Sequence, residues 1–80
     1  MVLAFVMIEI SPQAELMNWD NIVKENLEKV ENVKEVHTLF GRYDLIVKVE
    51  ANNIEEIDKV VDKSRSIQGV SSTETFIVRV

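Results

Sequence analysis

Val33-Lys34-Glu35-Val36-His37-Thr38-Leu39-Phe40-Gly41-Arg42-Tyr43-Asp44-Leu45-Ile46-Val47-Lys48-Val49-Glu50-Ala51 lies in the middle of the 80-residue chain, and its reading decides the fold. Over Val33–Phe40, Val36, Thr38 and Phe40 fall on one side of an extended chain and Val33, His37 and Leu39 on the other, which predicts a strand. Gly41-Arg42-Tyr43-Asp44 is turn chemistry: Gly supplies a permissive backbone and Asp can bond a nearby amide. Leu45–Ala51 alternates again, Leu45, Val47 and Val49 against Ile46, Lys48 and Glu50, so the stretch is a hairpin with a short loop.

Working outward, a helix and a strand flank the hairpin on each side. Trp19, Ile22, Val23, Leu27 and Val30 recur at helical spacing, with Lys24, Glu25, Glu28 and Lys29 opposite, predicting a helix over about 18–31. Before it, Val2–Ile10 is a strand apolar on both faces except at Glu9, stopped by Ser11-Pro12. Ser11 with Pro12 could open a helix, but Asn18 and Asp20 are equally good caps. After the hairpin, Asn52 or Asn53 caps a second helix, with Glu55 or Glu56 at capping-box spacing. Its inner stripe is Ile54, Ile57, Val60, Val61 and Ser64. Gly69 ends it, and Val70–Val80 is the last strand, with Phe76, Val78 and Val80 on one face and Thr73, Thr75 and Ile77 on the other. The order is βαββαβ, an α+β fold of ferredoxin-like type. The right-handed crossover rule places both helices on one face of a four-stranded antiparallel sheet.

That topology leaves one sheet face bare, yet the first strand is apolar on both sides. Leaving Leu3, Phe5 and Met7 in water would forfeit about 1.5–3 kcal/mol each, against a total stability of only ~5–15 kcal/mol. A chain of this size buries only about 63% of its unfolded surface. Zero cysteines remove disulfides, thiolate zinc sites and Cys nucleophiles. The economical cover is a second copy of the same sheet, a homodimer of the dimeric α+β-barrel type.

The charge balance narrows the partners. Nine basic and 14 acidic residues give a formal net charge of −5, and the basic residues are scattered singly, which argues against direct nucleic-acid contact. No run approaches the ~20 apolar residues of a membrane span, and Glu9 interrupts the apolar opening, so no membrane or signal segment is expected. A cytoplasmic location follows as the expectation. At 46% hydrophobic and 29% charged the chain is not a disordered one.

Catalysis has no positive support. His37 is the single histidine, no paired-carboxylate, phosphate-loop or nucleophile-elbow motif occurs, and no metal or cofactor is expected. Two segments look arranged for binding: Gly41–Asp44, with amides, a carboxylate and a phenol within four residues, and Gly69–Thr75, with four hydroxyls entering a strand. A zwitterion needs acceptors for its ammonium and amides or hydroxyls for its carboxylate. On spacing alone the plainer account is preferred: Gly and Asp make the hairpin, and Ser and Thr merely suit a strand.

Val33-Lys34-Glu35-Val36 leading into Gly41-Arg42-Tyr43-Asp44-Leu45-Ile46-Val47-Lys48-Val49, followed by Gly69-Val70, Thr73 and Thr75-Phe76-Ile77-Val78, resembles the effector-binding (RAM) module of the Lrp/AsnC feast/famine regulators. The resemblance covers nearly the whole chain. It implies one domain over 1–80, without the family's helix-turn-helix, that dimerises through its sheets. It further implies assembly into octamers or decamers that bind a free amino acid between dimers, and association with full-length regulators of the same family. Transferred position by position, it implies that Asp44 holds the ammonium group, that backbone at Gly41, Arg42 and Tyr43 meets the ligand, and that Ser72, Thr73 and Thr75 supply hydroxyls. The stretch Ser11–Asn18 is longer than expected before the first helix. Two other readings share the topology: a small barrel enzyme such as a monooxygenase, with His37, Trp19 and Tyr43 around an internal cavity, and an ACT-like domain binding amino acids at helix-side interfaces.

Overall fold

Alternation along the strands sorts the side chains of the sheet into a buried and a bare face. The computed structural model describes residues 1–79. Its elements are β1 (Val2–Ile10), α1 (Pro12–Leu16), α2 (Asp20–Glu28), β2 (Val33–Thr38), β3 (Leu45–Ala51), α3 (Ile54–Ser66) and β4 (Val70–Ile77). The strands form one antiparallel sheet in the order β2-β3-β1-β4. Ala4, Val6, Ile8 and Ile10 of β1, Val36 of β2 and Leu45, Val47 and Val49 of β3 form one core with Val23 and Leu27 of α2 and Ile57, Val60 and Val61 of α3. This is the ferredoxin-like arrangement the hairpin predicts, with the helices on one side.

Register fixes the other face. Phe5 lies between Lys48 and Phe76, and Met7 between Ile46 and Glu74. Leu3, Phe5 and Met7 are half-buried, while Phe76 and Val78 are exposed. The chain exposes 5397 Å², where area scaling for its mass gives roughly 4,900 Å². The surplus is what an unfinished surface would leave.

Several boundaries differ from the sequence reading, each for a local reason. The helix expected over 18–31 is the shorter α2, and a separate helix, α1, precedes it where the sequence reading left Pro12–Met17 open. Ser11 Oγ accepts from Ala14 N at 3.2 Å, with Pro12 in the first turn, so the Ser-Pro pair does start a helix. Asn18 at φ 56 ends it: Trp19 N donates to Ala14 O at 3.0 Å and Asn18 N to Glu15 O at 3.1 Å, a Schellman closure with Asn in the left-handed position. β2 stops at Thr38, and Leu39 and Phe40 belong to the turn. β4 stops at Ile77, and Val80 lies outside the described residues. Ile22 and Ile54, expected in inner stripes, are exposed. Asn53 caps α3: its Oδ1 accepts from Glu56 N at 2.9 Å, and Glu56 Oε1 accepts from Asn52 N at 2.7 Å. Buried Ser64 donates to Val60 O at 2.7 Å.

Gly69 is needed at the entry to β4. Its φ is +104, and a Cβ there would stand 3.0 Å from Val23 Cγ2 and 3.3 Å from Ala14 Cβ. Its carbonyl accepts from Ser11 N at 2.8 Å, tying α1 to β4.

Candidate functional site

The β2–β3 turn is bound to the end of β1. Leu39 N donates to Asp44 O at 2.8 Å, and Asp44 N to Ile8 O at 2.9 Å. The Asp44 carboxylate accepts from Ile10 N at 2.7 Å, beside the register shift at Glu9/Ile10. The carboxylate thereby satisfies an amide that the irregular ladder leaves free. It also lines a depression of about 190 Å³ with Ile10, Glu15, Asn18, Asp20, Thr38 and Leu39.

Tyr43 goes the other way, across the helix-free face. Its hydroxyl donates to the Glu74 carboxylate of β4, and the Arg42 guanidinium sits 5.4 Å above its ring centroid. Donating to Glu74, with partial desolvation, holds the phenol above its ordinary pKa, and the Arg42 charge opposes the rise. Beside this pair, Ser72 Oγ donates to Glu9 Oε1 at 2.8 Å and Ser71 Oγ to the Glu9 carbonyl at 3.0 Å.

Thr73 and Thr75 lie opposite Ile8 and Val6, on the helix side of the sheet, and Arg65 of α3 donates through Nε to Thr73 Oγ1 at 3.1 Å. The residues singled out from sequence thus fall into three groups. Arg42, Tyr43 and Ser72 gather on the helix-free face, Thr73 and Thr75 under the helices, and Asp44 at the sheet end between them. Gly41 stands at the exposed turn. Among the described residues no single depression collects them. Glu9 and Glu74 join the first group and were missed from sequence, where Glu9 reads only as a break in an apolar strand. The signal was available: counting by two along β4 puts Ser72, Glu74 and Phe76 on one face.

The trio His37, Trp19 and Tyr43 of the enzyme reading does not assemble. His37 is exposed on β2, its Nε2 2.9 Å from Glu35 Oε1, with Lys48 Nζ 3.3 Å from Glu35 Oε2. These partners, the His37 contact first, hold the Glu35 carboxyl below its usual range. Trp19 packs against the core on the helix side, so the sheet separates it from Tyr43. Among the described residues no group of three or more His, Cys, Asp or Glu side chains converges as metal ligands, and no helix is long and apolar enough to cross a membrane.

Comparison with known proteins fits this geometry to a family. The family model described as the Lrp/AsnC ligand binding domain matches residues 3–79. An HTH-type transcriptional regulator of Pyrococcus abyssi is 40% identical over 75 residues, covering 92% of this chain and 49% of that protein. A homocitrate synthase of Sulfurisphaera tokodaii is 38% identical over 69 residues, 86% of this chain but 15% of that enzyme. The chain therefore spans about half the length of the regulators it matches and a small part of the enzyme. Among solved structures, TTHA0845 of Thermus thermophilus superimposes with a TM-score of 0.87 at 32% identity, covering 100% of this chain and 95% of that one. E. coli AsnC superimposes at 0.82 with 27% identity, over 96% of this chain and 50% of that one.

Proposed function

Because the chain belongs to the Lrp/AsnC ligand binding domain family, we propose that it is a non-enzymatic regulatory module that binds a free amino acid where two copies meet. One observation carries the reading. Asp44, the group suited to an ammonium, lies at the end of the sheet in a depression open to solvent, and among the described residues the hydroxyls of Ser72, Thr73 and Thr75 do not line that depression. A site so divided is completed by a neighbour. The carboxylate has two oxygens and about four acceptor positions. Oδ2 holds Ile10 N, which leaves Oδ1 for a ligand.

Assembly has its own support. The helix-free face carries an apolar centre of Leu3, Phe5, Met7, Ile46 and Phe76 bordered by Lys48, Glu50 and Glu74, and a standard interface takes about 800 Å² from each partner. Sheet-to-sheet pairing gives the dimer, and dimers build the larger ring, an octamer or decamer. Such a module acts in the cytoplasm on full-length regulators of its own family through matching interfaces. With a net charge of −5 it reads no DNA itself.

Calorimetric titration with each of the twenty amino acids, alongside native mass spectrometry, tests the reading. Binding of at least one of them by the assembled protein is expected. Silence at millimolar concentrations of all twenty would remove the sensing role.

A further inference from the structure

We propose that the ligand of the Asp44 depression is a basic amino acid, one whose side chain ends in a second cationic nitrogen. The inference rests on the amino-acid reading above and narrows it to a chemical class. Three carboxylates line that depression of about 190 Å³: Asp44 from the β2–β3 turn, Glu15 from α1 and Asp20 from the first turn of α2. Among the described residues no lysine, arginine or histidine lines it, and neither Glu15 nor Asp20 forms an ion pair. Arg42, close to Asp44 in sequence, is turned away over the Tyr43 ring on the helix-free face.

A neutral zwitterion suits this lining badly. Its single ammonium answers Asp44 Oδ1, and its carboxylate then shares the depression with two further negative charges, which repel it. A second cationic group on the ligand turns those two charges into partners. A second copy of the chain arriving at this edge carries the same net charge of −5 and does not, on balance, neutralise them.

Spacing points to an extended organic cation rather than a metal ion. Among the described residues the three carboxylates do not converge closely enough to hold a metal together, so their charge is spread along the depression. Between them, Ile10 and the exposed Leu39 give an apolar wall for a stem such as the four carbons of a lysine side chain. The Asn18 carboxamide and the Thr38 hydroxyl, also in the lining, are the donors open to the ligand's carboxylate.

Calorimetric titration of the assembled protein tests the class. The tighter of L-lysine and L-arginine is compared with L-norleucine, which keeps an unbranched stem without the terminal charge, and with the decarboxylated amine of the same side chain. The basic amino acid should bind at least about ten-fold more tightly than either, a factor that one charge-assisted hydrogen bond can supply. Glu15→Gln combined with Asp20→Asn removes both charges at nearly constant shape. It should bring the ratio of basic amino acid to norleucine affinity down to near one, with the wild-type circular dichroism spectrum retained. Norleucine binding as tightly as the basic amino acids overturns the class and leaves the amino-acid reading standing. A folded double variant that keeps the wild-type ratio does the same. The decarboxylated amine binding as tightly as its parent also overturns it, since the carboxylate would then count for nothing. Silence toward all twenty amino acids removes the sensing role and this inference with it.

Discussion

Replacing Asp44 separates its two duties, because one oxygen is engaged by the fold and the other is open. In Asp44→Ala the half-buried Ile10 N–H loses its partner at 2.7 Å. An amide left unsatisfied costs about 1–3 kcal/mol. For a domain of 60–100 residues each kcal/mol moves Tm by about 4–8 °C, so the midpoint should fall by roughly 4–24 °C. Asp44→Asn keeps a carbonyl oxygen for Ile10 and gives up only the charge, a difference of about 1 kcal/mol between charged and neutral hydrogen bonds. Its midpoint should therefore stay well above that of Asp44→Ala. Ligand binding should order the variants differently. An ammonium loses a charge-assisted bond worth about 1.5–3 kcal/mol in both variants, so affinity should fall roughly 10- to 150-fold in each. Thermal unfolding read by circular dichroism and calorimetric titration of the same samples give both numbers. Wild-type affinity in Asp44→Asn would refute the ammonium role. Equal stability of the two variants would refute the bond to Ile10 as a contributor.

Gly69→Ala should cost about 2–5 kcal/mol, the left-handed penalty of ~1–2 plus 1–3 for crowding Val23 and Ala14; a loss below 1 kcal/mol in denaturant unfolding would mean that α2 moves aside freely. Tyr43 is the only tyrosine, so its ultraviolet titration is unambiguous. Its pKa is raised by donation to Glu74, so the bond contributes stability below the unfolded-state phenol value and loses it as pH rises through the folded value; Glu74→Gln should lower the midpoint, and an unmoved titration would sink the pairing. Glu35 is depressed by His37 and Lys48, so its contribution is present above the ordinary carboxylate pKa and fades as pH falls through the folded value; in Lys48→Met the NMR titration of Glu35 should move up. Phe5→Asp, on the bare face, should yield a folded monomer by analytical ultracentrifugation, and an intact dimer would show that this face is not the interface.

The fold was legible because its signals are local or strictly periodic. Val47 and Lys48, adjacent in sequence, had to face opposite sides of the sheet, and the structure buries one and not the other. Asn52-Asn53 followed by Glu55-Glu56 announced the start of α3 by chemistry alone, and the structure selects Asn53 and Glu56 from the two pairs. The α1–α2 break was less legible, since five residues carry too little periodicity to outweigh the stronger pattern after Trp19. The site was harder still. Ser72 and Thr73 are neighbours in sequence and therefore opposites in space, so a set that reads as one cluster of hydroxyls is divided by the sheet. Glu9 meets Ser72 only because the register shift at Glu9/Ile10 sets where β4 pairs, and register across 63 residues is not written in either strand.

A division of the site across a sheet end has a thermodynamic consequence. A ligand that binds only where two copies meet stabilises that contact by RT ln(1 + [L]/Kd), about 2.7 kcal/mol per site at a hundred-fold excess over Kd. In the proposed assembly, two-fold contacts on two different surfaces would propagate from copy to copy until a ring closes. In a ring each seam holds its own sites, so the shift multiplies with seam number while any one site stays weak. Weak sites in a large assembly respond over the concentration range of a free metabolite, which a single tight pocket inside an 80-residue core would not do. The same coupling means that the ligand must distinguish seam from free surface to have any effect. On the proposed reading Asp44 would meet that requirement, because one of its oxygens is fixed by Ile10 in the lone protomer and the other is left for a ligand at the sheet end.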